Sequence, residues 1–110
     1  GDIGSKVIKD RQQLSEDGIV IVAYSIDKQT GKILSGPEMS TKGFVYYKDS
    51  EDTMKEAQDL LLNKIRKEET YLGKDWQDLK GDVRDLLSRF FYEKLKRNPI
   101  IVPMLLEIES

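Results

Sequence analysis

The fold is decided by the stretch Tyr92-Glu-Lys-Leu-Lys-Arg-Asn-Pro-Ile-Ile-Val-Pro-Met-Leu-Leu-Glu-Ile108, which joins a basic helix end to an apolar strand. Pro99 prevents the helix from continuing, because proline lacks the backbone N–H that a helix interior requires. From Ile100 onward, apolar side chains occur at consecutive positions and therefore fall on both faces of a strand. A strand of this kind needs a cover on each of its two faces.

Two amphipathic helices are predicted upstream of this strand. In the first, Asp49 or Ser50 caps the N-terminus, and an apolar stripe follows at helical spacing: Met54, Ala57, Leu61 and Ile65. In the second, Asp75 is the predicted cap, and the apolar stripe is longer: Leu79, Val83, Leu86, Leu87, Phe90, Phe91 and Leu95. Gly81 costs the second helix about 1 kcal/mol relative to alanine, which indicates close packing against a neighbour.

A β-hairpin is predicted ahead of the helices. Residues 19–26 are β-branched and almost unbroken in their apolar character, as in a strand inside a sheet. A polar turn over residues 27–32 follows, and Gly31 can adopt the positive φ that such a turn needs. Gly36-Pro37 interrupts the returning strand, so a kink or bulge is expected between Ser35 and Lys42, with pairing resumed over residues 43–47.

These elements predict an α+β fold, with a small three-stranded sheet packed against two longer α-helices and a short N-terminal helix. Ser5 caps that short helix, and Gly18 ends it. Residues 1–18 form an entry or linker segment, and residues 19–110 form a single domain. A length of 110 residues is typical of one domain with its own core.

Both faces of the predicted sheet are apolar. In the first strand, Ile19, Ile21 and Ala23 point one way, and the residues between them point the other way. If the two longer helices cover one face, the other exposes several hundred Å² and needs the first helix, another copy or a larger protein as its cover. The predicted apolar interaction residues are Val20, Val22, Tyr24, Ile101 and Leu105.

The residue inventory excludes most catalytic chemistry. The chain has no histidine and no cysteine, so it can form neither a Ser-His-Asp nor a Cys-His nucleophile system. Asp49, Glu51 and Asp52 are the densest carboxylates for a magnesium site, but helix capping explains them more simply. We therefore predict no catalytic, metal or cofactor site in this chain. The longest apolar run is too short to cross a membrane.

Five cations are candidates for contact with RNA or with a partner: Lys42, Arg89, Lys94, Lys96 and Arg97. Four of them cluster toward the end of the second long helix, where positive charge also favours the helix dipole. RNA phosphates and acidic groups of a partner are the other two interpretations. The net charge of −2 gives no general attraction to nucleic acid, so RNA contact would depend on such a local cluster.

Three blocks carry a family resemblance, namely residues 14–22, 35–46 and 92–108, in this order. Together they resemble the C-terminal domain of bacterial ribonuclease J, of the metallo-β-lactamase and β-CASP ribonucleases, over nearly the whole chain. The resemblance implies a parent enzyme that binds zinc through histidines of its catalytic domain, none of which has a counterpart here. Where the family typically has arginine before the glycine, this chain has Lys42, which lacks the planar fork for bidentate phosphate binding.

The resulting functional expectation is a non-catalytic assembly, or dimerisation, domain. Its expected partners are another copy of itself, the catalytic domains of the parent enzyme, or both, with RNA bound through the parent and no membrane involved. The resemblance implies that the parent hydrolyses RNA as a 5′–3′ exonuclease and endonuclease in mRNA decay and rRNA maturation, in the cytoplasm. The absence of an initiator methionine before Gly1 fits a fragment of such a protein. The alternative is an RNA-binding module that contacts phosphates through the basic helix end.

Overall fold

Three strands and two long helices make up the computed structural model, which describes residues 17–43, 50–66 and 74–109. The elements, in chain order, are β1 (Ile19–Asp27), β2 (Ile33–Lys42), α1 (Ser50–Arg66), α2 (Lys74–Leu95) and β3 (Ile100–Ile108). This arrangement confirms the predicted α+β class, with a three-stranded sheet and two longer helices. The short helix predicted from Ser5 falls on residues outside the described part of the chain.

The sheet is mixed, in the order β2-β1-β3. β1 pairs with β2 in antiparallel fashion and with β3 in parallel fashion, so that Ile19 lies beside Ile100 at one end and Asp27 beside Ile108 at the other. A parallel pair cannot be joined by a tight turn. The chain therefore passes through both helices between β2 and β3, and this route places the helices on the sheet.

The turn between β1 and β2 is built around Asp27. Its N–H donates to the carbonyl of Lys32 at 2.8 Å, and its carbonyl accepts the N–H of Gly31 at 2.8 Å. Its Oδ1 also accepts the N–H of Gln29 at 2.8 Å. Gly31 has a φ of 74°, the left-handed conformation that glycine adopts without steric cost. The predicted hairpin is confirmed.

β2 is more continuous than the sequence predicts. The register with β1 shifts twice near Ser25, but pairing has resumed by Glu38 and continues to Lys42. The predicted resumption at residue 43 is therefore wrong, because bulges absorb the proline without ending the strand. Gly36 has a φ of 112°, and a Cβ there would lie 2.7 Å from the carbonyl oxygen of Ala23. Only glycine fits this position without displacing β1.

The core lies between the helices and one face of the sheet. α1 contributes Ala57 and Leu61, and α2 contributes a longer buried row: Trp76, Leu79, Val83, Leu87 and Phe91. The two helices run antiparallel, as shown by ion pairs at both ends of their contact: Lys64 Nζ to Asp82 Oδ2 at 3.4 Å and Lys94 Nζ to Glu56 Oε2 at 3.1 Å. These apolar rows coincide with the stripes predicted from helical spacing.

The details of α2 correct two predictions. The helix begins at Lys74, one residue before the predicted cap Asp75, and it ends at Leu95, as Pro99 requires. Lys96 then takes a φ of 54°, and its N–H donates to the carbonyl of Tyr92 at 2.9 Å, which caps the last turn. A Cβ built on Gly81 would meet no atom within 4 Å, so the predicted close packing at this glycine is wrong.

Candidate association surface

The sheet face beneath the helices is a closed core, which we call the covered face. Val20 and Val22 are fully buried, and the ring of Tyr24 packs edge-on against Trp76 with a centroid distance of 5.7 Å. Ile101 is 7% exposed, and Leu105 packs partly buried against the same cluster. The sequence predicted these five β-strand residues as the interaction surface. That choice of face is corrected, because the helices already occupy it.

The other side of the sheet, which we call the open face, carries apolar side chains of β1 and β3 that are partly buried or exposed. It is formed by alternate residues of β1 and β3: Ile19, Ile21, Ala23, Ile100, Val102, Met104, Leu106 and Ile108. Met104 is 52% exposed, Leu106 64% and Ile108 38%. Contiguous apolar surface of this kind, on the order of several hundred Å², is typical of an interaction site.

Next to Ile19, Ile21 and Ala23 the open face becomes polar at β2, although Leu34, further along β2, is 51% exposed. There the neighbours of β1 are polar, with Lys42 opposite Ile19 and Ser40 opposite Ile21. Glu38 stands opposite Ala23, and further along the hydroxyls of Ser25 and Ser35 hydrogen bond to each other. The candidate surface is therefore a two-stranded apolar area on β1 and β3, bordered along one side by a polar row.

No described strand pairs with the outer edge of β3, which we call its free edge, and this edge is poorly suited to the addition of another strand. The N–H of Ile100 donates to the carbonyl of Gly18 at 2.9 Å, and the carbonyl of Ile108 accepts the N–H of Lys28 at 2.9 Å. Even-numbered residues of β3 thus direct their backbone groups to β1, and odd-numbered residues direct theirs to the free edge. Pro103 therefore removes a donor from the centre of that edge, as edge strands often do to prevent pairing.

The five predicted contact cations do not form one cluster. Lys94 is held by Glu56, and Arg97 Nη1 lies 3.3 Å from Asp17 Oδ1. Asp17 also accepts the N–H of Asn98 at 3.0 Å, so this carboxylate ties the segment before β1 to the segment before β3. Of the two remaining helix-end cations, Arg89 is exposed on α2 and Lys96 is exposed just after the helix ends, whereas Lys42 lies on the open face of β2.

Neither a metal site nor a membrane span is found in the described residues. No group of three or more His, Cys, Asp or Glu side chains within ranges 17–43, 50–66 and 74–109 could hold a metal ion. Of the three predicted carboxylates, Glu51 and Asp52 are exposed in the first turn of α1, and Asp49 lies outside the described part. Within the same part of the chain, no helix is long and apolar enough to cross a membrane.

One polar atom of the covered face has no partner among the described residues. The hydroxyl of Tyr24 is buried and makes no hydrogen bond there. Burial also raises the pKa of this hydroxyl well above its ordinary value, because the tyrosinate would lose its hydration. The hydroxyl is therefore a neutral group with a structural cost, and it lies on the face opposite to the candidate surface.

A small α+β module whose two described helices both lie on one face of a three-stranded sheet is the class of protein that this geometry defines. Residues 6–108 match the family model described as the ribonuclease J C-terminal domain. The chain is 43% identical over 108 residues to Ribonuclease J2 of Bacillus subtilis (strain 168), an alignment that covers 98% of the chain and 20% of the relative.

Two streptococcal proteins give the same result. Ribonuclease J 2 and Ribonuclease J 1 of Streptococcus pyogenes serotype M3 are 44% and 42% identical to the chain, over 98% and 96% of its length. The chain belongs to the family of ribonuclease J C-terminal domains. It spans about a fifth of the length of these curated relatives.

Proposed function

We propose that this chain is a non-catalytic assembly domain of a ribonuclease J-like enzyme and that it associates with another copy of itself. The observation that carries the proposal is the open face, where Met104 and Leu106 expose more than half of their surface. An apolar area bordered by polar residues favours a contact with protein rather than with water. In a longer protein, the same contact would bring two sets of catalytic domains together.

The expected association is weak for the domain by itself. Two open faces of several hundred Å² each approach the lower limit of about 1,000 Å² for a specific interface. Burial contributes roughly 25 cal/mol per Å², and most of this is offset by the lost freedom of two separate molecules. Dimers should therefore form in the micromolar range, and further contacts elsewhere in a longer protein would strengthen them.

The activity of the parent enzyme is inferred from the names of the relatives and from the family resemblance. We infer an enzyme that hydrolyses RNA, as 5′–3′ exonuclease and endonuclease, in mRNA decay and rRNA maturation in the cytoplasm. Zinc would be held by histidines of the catalytic domain, since this chain contains no histidine. The contribution of this chain would be to position catalytic domains around RNA, without touching the reacting phosphate.

Sedimentation equilibrium across a dilution series tests the proposed function. We expect a monomer at low micromolar concentration and a growing dimer population toward high micromolar concentration. Added salt should change this equilibrium little, because apolar burial is screened far less than exposed charge pairs are. A chain that stays monomeric over the whole series would contradict self-association.

RNA binding is the second candidate function. The feature that favours it is an exposed strip at the end of α2. There Lys96 Nζ, just after the helix, lies 5.1 Å above the ring of Tyr92, and Arg89 stands one turn before Tyr92. An aromatic ring flanked by cations suits a base and its phosphates. Titration with labelled single-stranded RNA at several salt concentrations should then give an affinity that falls steeply with salt. No binding at low salt would eliminate this candidate.

A further inference from the structure

The outer edge of β2 around Met39, which we call the β2 edge, presents backbone groups in a regular alternation. Odd-numbered residues of β1 direct their backbone groups toward β2, as the hydrogen bonds of Asp27 with the turn show. Their register partners on β2 are Glu38, Ser40 and Lys42, which direct their own backbone groups back to β1. Met39 lies between them and therefore directs its N–H and its carbonyl away from the sheet.

Two backbone groups of Met39 are available to a further strand. The carbonyl of Pro37, which the same alternation directs outward, accepts the side-chain Nε2–H of Gln58 from α1 at 3.0 Å. No group of the described residues is hydrogen-bonded to the outward N–H or carbonyl of Met39. An edge of this kind is a template for an added strand. One outward residue with both groups available suits an antiparallel partner, because such a pair exchanges two hydrogen bonds between two residues.

A groove of about 880 Å³ lies beside the β2 edge, between β2 and the first half of α1. Met39 and Met54 line it, and both are partly buried against the core. In an added strand, the residue paired with Met39 would direct its side chain to the same side as Met39, into this groove. The two methionines suit an aliphatic side chain there, because methionine is unbranched and adapts to the shape of its neighbours.

The charges around the groove favour a basic partner. Glu38 is exposed on the open face next to Met39, and Glu51 is exposed in the first turn of α1. Neither carboxylate forms an ion pair with a described residue. Among the described lining residues the two carboxylates face one cation, Lys55. In an added strand, a neighbour of the residue paired with Met39 would stand opposite Glu38, where a lysine or arginine is favoured.

We propose that the β2 edge binds an extended segment of a partner protein as an added antiparallel strand. An aliphatic residue of this segment enters the groove against Met39 and Met54, and basic residues flank it on the side of Glu38. Strand addition of this kind takes its affinity from the backbone and its specificity from alternate side chains. The inference goes beyond the proposed function, because it requires no second copy of the chain.

A synthetic peptide with the required alternation provides the first test. The probe is a blocked, fluorescein-labelled octapeptide of four Lys-Val repeats, and fluorescence anisotropy with the full chain measures its affinity. Saturable binding in the micromolar range is the expected result. An octapeptide of four Glu-Val repeats should bind at least about tenfold more weakly, because Glu38 and Glu51 would repel it. Absence of saturable binding by the Lys-Val peptide would overturn the proposal.

Backbone methylation of the same peptide tests the hydrogen bonds separately from the charge. Methyl groups on the amide nitrogens of the valines remove the donors that face Met39 in the proposed pairing, and we expect at least about a tenfold loss of affinity. Methyl groups on the amide nitrogens of the lysines leave those donors intact and keep charge and composition the same. That control peptide should therefore retain most of the affinity. Equal losses for the two methylated peptides would rule out the added strand.

A charge reversal on the protein tests the position of the site. Glu38→Lys should weaken binding of the Lys-Val peptide at least about tenfold. Asp85→Lys is the matched control, since it makes the same charge change at an exposed position of α2 outside the groove, and affinity should stay within about twofold. Fluorescence of Trp76, the single tryptophan, verifies that both variants are folded. Equal losses for the two variants would show attraction by net charge alone and would overturn the assignment to the β2 edge.

A second copy of the chain is the competing occupant of the β2 edge, and the same titration distinguishes it. Peptide affinity that is independent of chain concentration supports a site open to a partner. Affinity that falls as the chain self-associates would show that another copy pairs with this edge, and the proposal would then be wrong. A chain that stays monomeric at all concentrations but binds the peptide would contradict the proposed function and leave this inference supported.

Discussion

At the start of β1 the two faces of the strand are similarly apolar. One face is buried under the helices, whereas the other is only partly buried. On the covered face, four consecutive alternate residues are apolar: Val20, Val22, Tyr24 and Ile26. On the open face, Ile19, Ile21 and Ala23 are followed by Ser25 and Asp27. The helices pack on the side whose apolar row is unbroken. In this strand the continuity of the apolar row, rather than the hydrophobicity of its first residues, distinguishes the face in the core from the open face.

A matched pair of leucines gives the largest contrast between the two sides. Leu87→Ala empties a fully buried site under the covered face, and we expect the free energy of unfolding to fall by about 2–5 kcal/mol. Leu106→Ala removes the same atoms from the open face, and we expect a change within about 0.5 kcal/mol. Urea unfolding, followed by the fluorescence of Trp76, measures both variants.

This leucine comparison must be made at low protein concentration, so that association contributes nothing to the free energy of unfolding. Equal losses for the two variants would mean that the open face is also part of the core. The distinction between the two faces would then fail.

Gly36 tests how closely β2 approaches the covered side. Gly36→Ala places a methyl group against the carbonyl oxygen of Ala23 and imposes a left-handed φ on a residue with a Cβ. We expect a loss of about 1–3 kcal/mol from the backbone conformation, increased by the steric clash. Thermal unfolding followed by circular dichroism provides the measurement. A variant as stable as the original chain would show that β2 can move away from β1 at little cost.

Burial of Tyr24 on the covered face makes stability depend on pH. Because burial raises the pKa of its hydroxyl, the folded chain keeps this proton at a pH where the unfolded chain loses it. The contribution to stability is therefore complete below about pH 10, the ordinary pKa of tyrosine, and declines above it by about 1.4 kcal/mol per pH unit. Tyr24→Phe should abolish this slope.

At neutral pH, Tyr24→Phe should leave stability unchanged or raise it by about 1 kcal/mol, because a buried hydroxyl without a partner is removed. Urea midpoints between pH 7 and pH 11 compare the variant with the original chain. Tyr92→Phe is the control, since Tyr92 is exposed and should not alter the slope. Identical slopes for Tyr24→Phe and the original chain would contradict the assigned burial.

Replacement of Gly81 is expected to have a small stabilising effect. It lies inside α2, the helix that covers the sheet, yet a side chain there would meet open space. Gly81→Ala should raise the free energy of unfolding by about 1 kcal/mol, because alanine favours the helix. A shift of the urea midpoint to higher concentration is the expected result, and destabilisation would show that the helix packs more tightly at this point than the structure indicates.

Much of the architecture could be predicted because its signals are local. The helical spacing from Leu79 to Leu95, the proline that ends it and the polar turn at Asp27 each act within a few residues. The choice between the two faces could also have been made, because Ser25 and Asp27 mark the open side of β1. The two faces were not distinguished, because apolar residues precede Ser25 on both of them.

Other features depend on contacts that sequence spacing cannot provide. Pairing beyond Pro37 resumes at Glu38 because bulges realign the strand with β1, and the sizes of bulges are set by the partner strand. The cations near the end of α2 are divided by partners distant in sequence, since Lys94 is held by Glu56 and Arg97 by Asp17. Clustering in sequence therefore overstated the positive charge available to a ligand.

The parallel pairing of β1 with β3 also has a consequence for synthesis. These neighbours in the sheet are separated in the sequence by β2 and both helices, so the ribosome produces β3 only after every other described element. Until Ile101 emerges, one edge of β1 has no partner and the core is incomplete. The surface through which we propose that two copies meet is thus completed last, which would delay any encounter between nascent chains until each has a finished sheet.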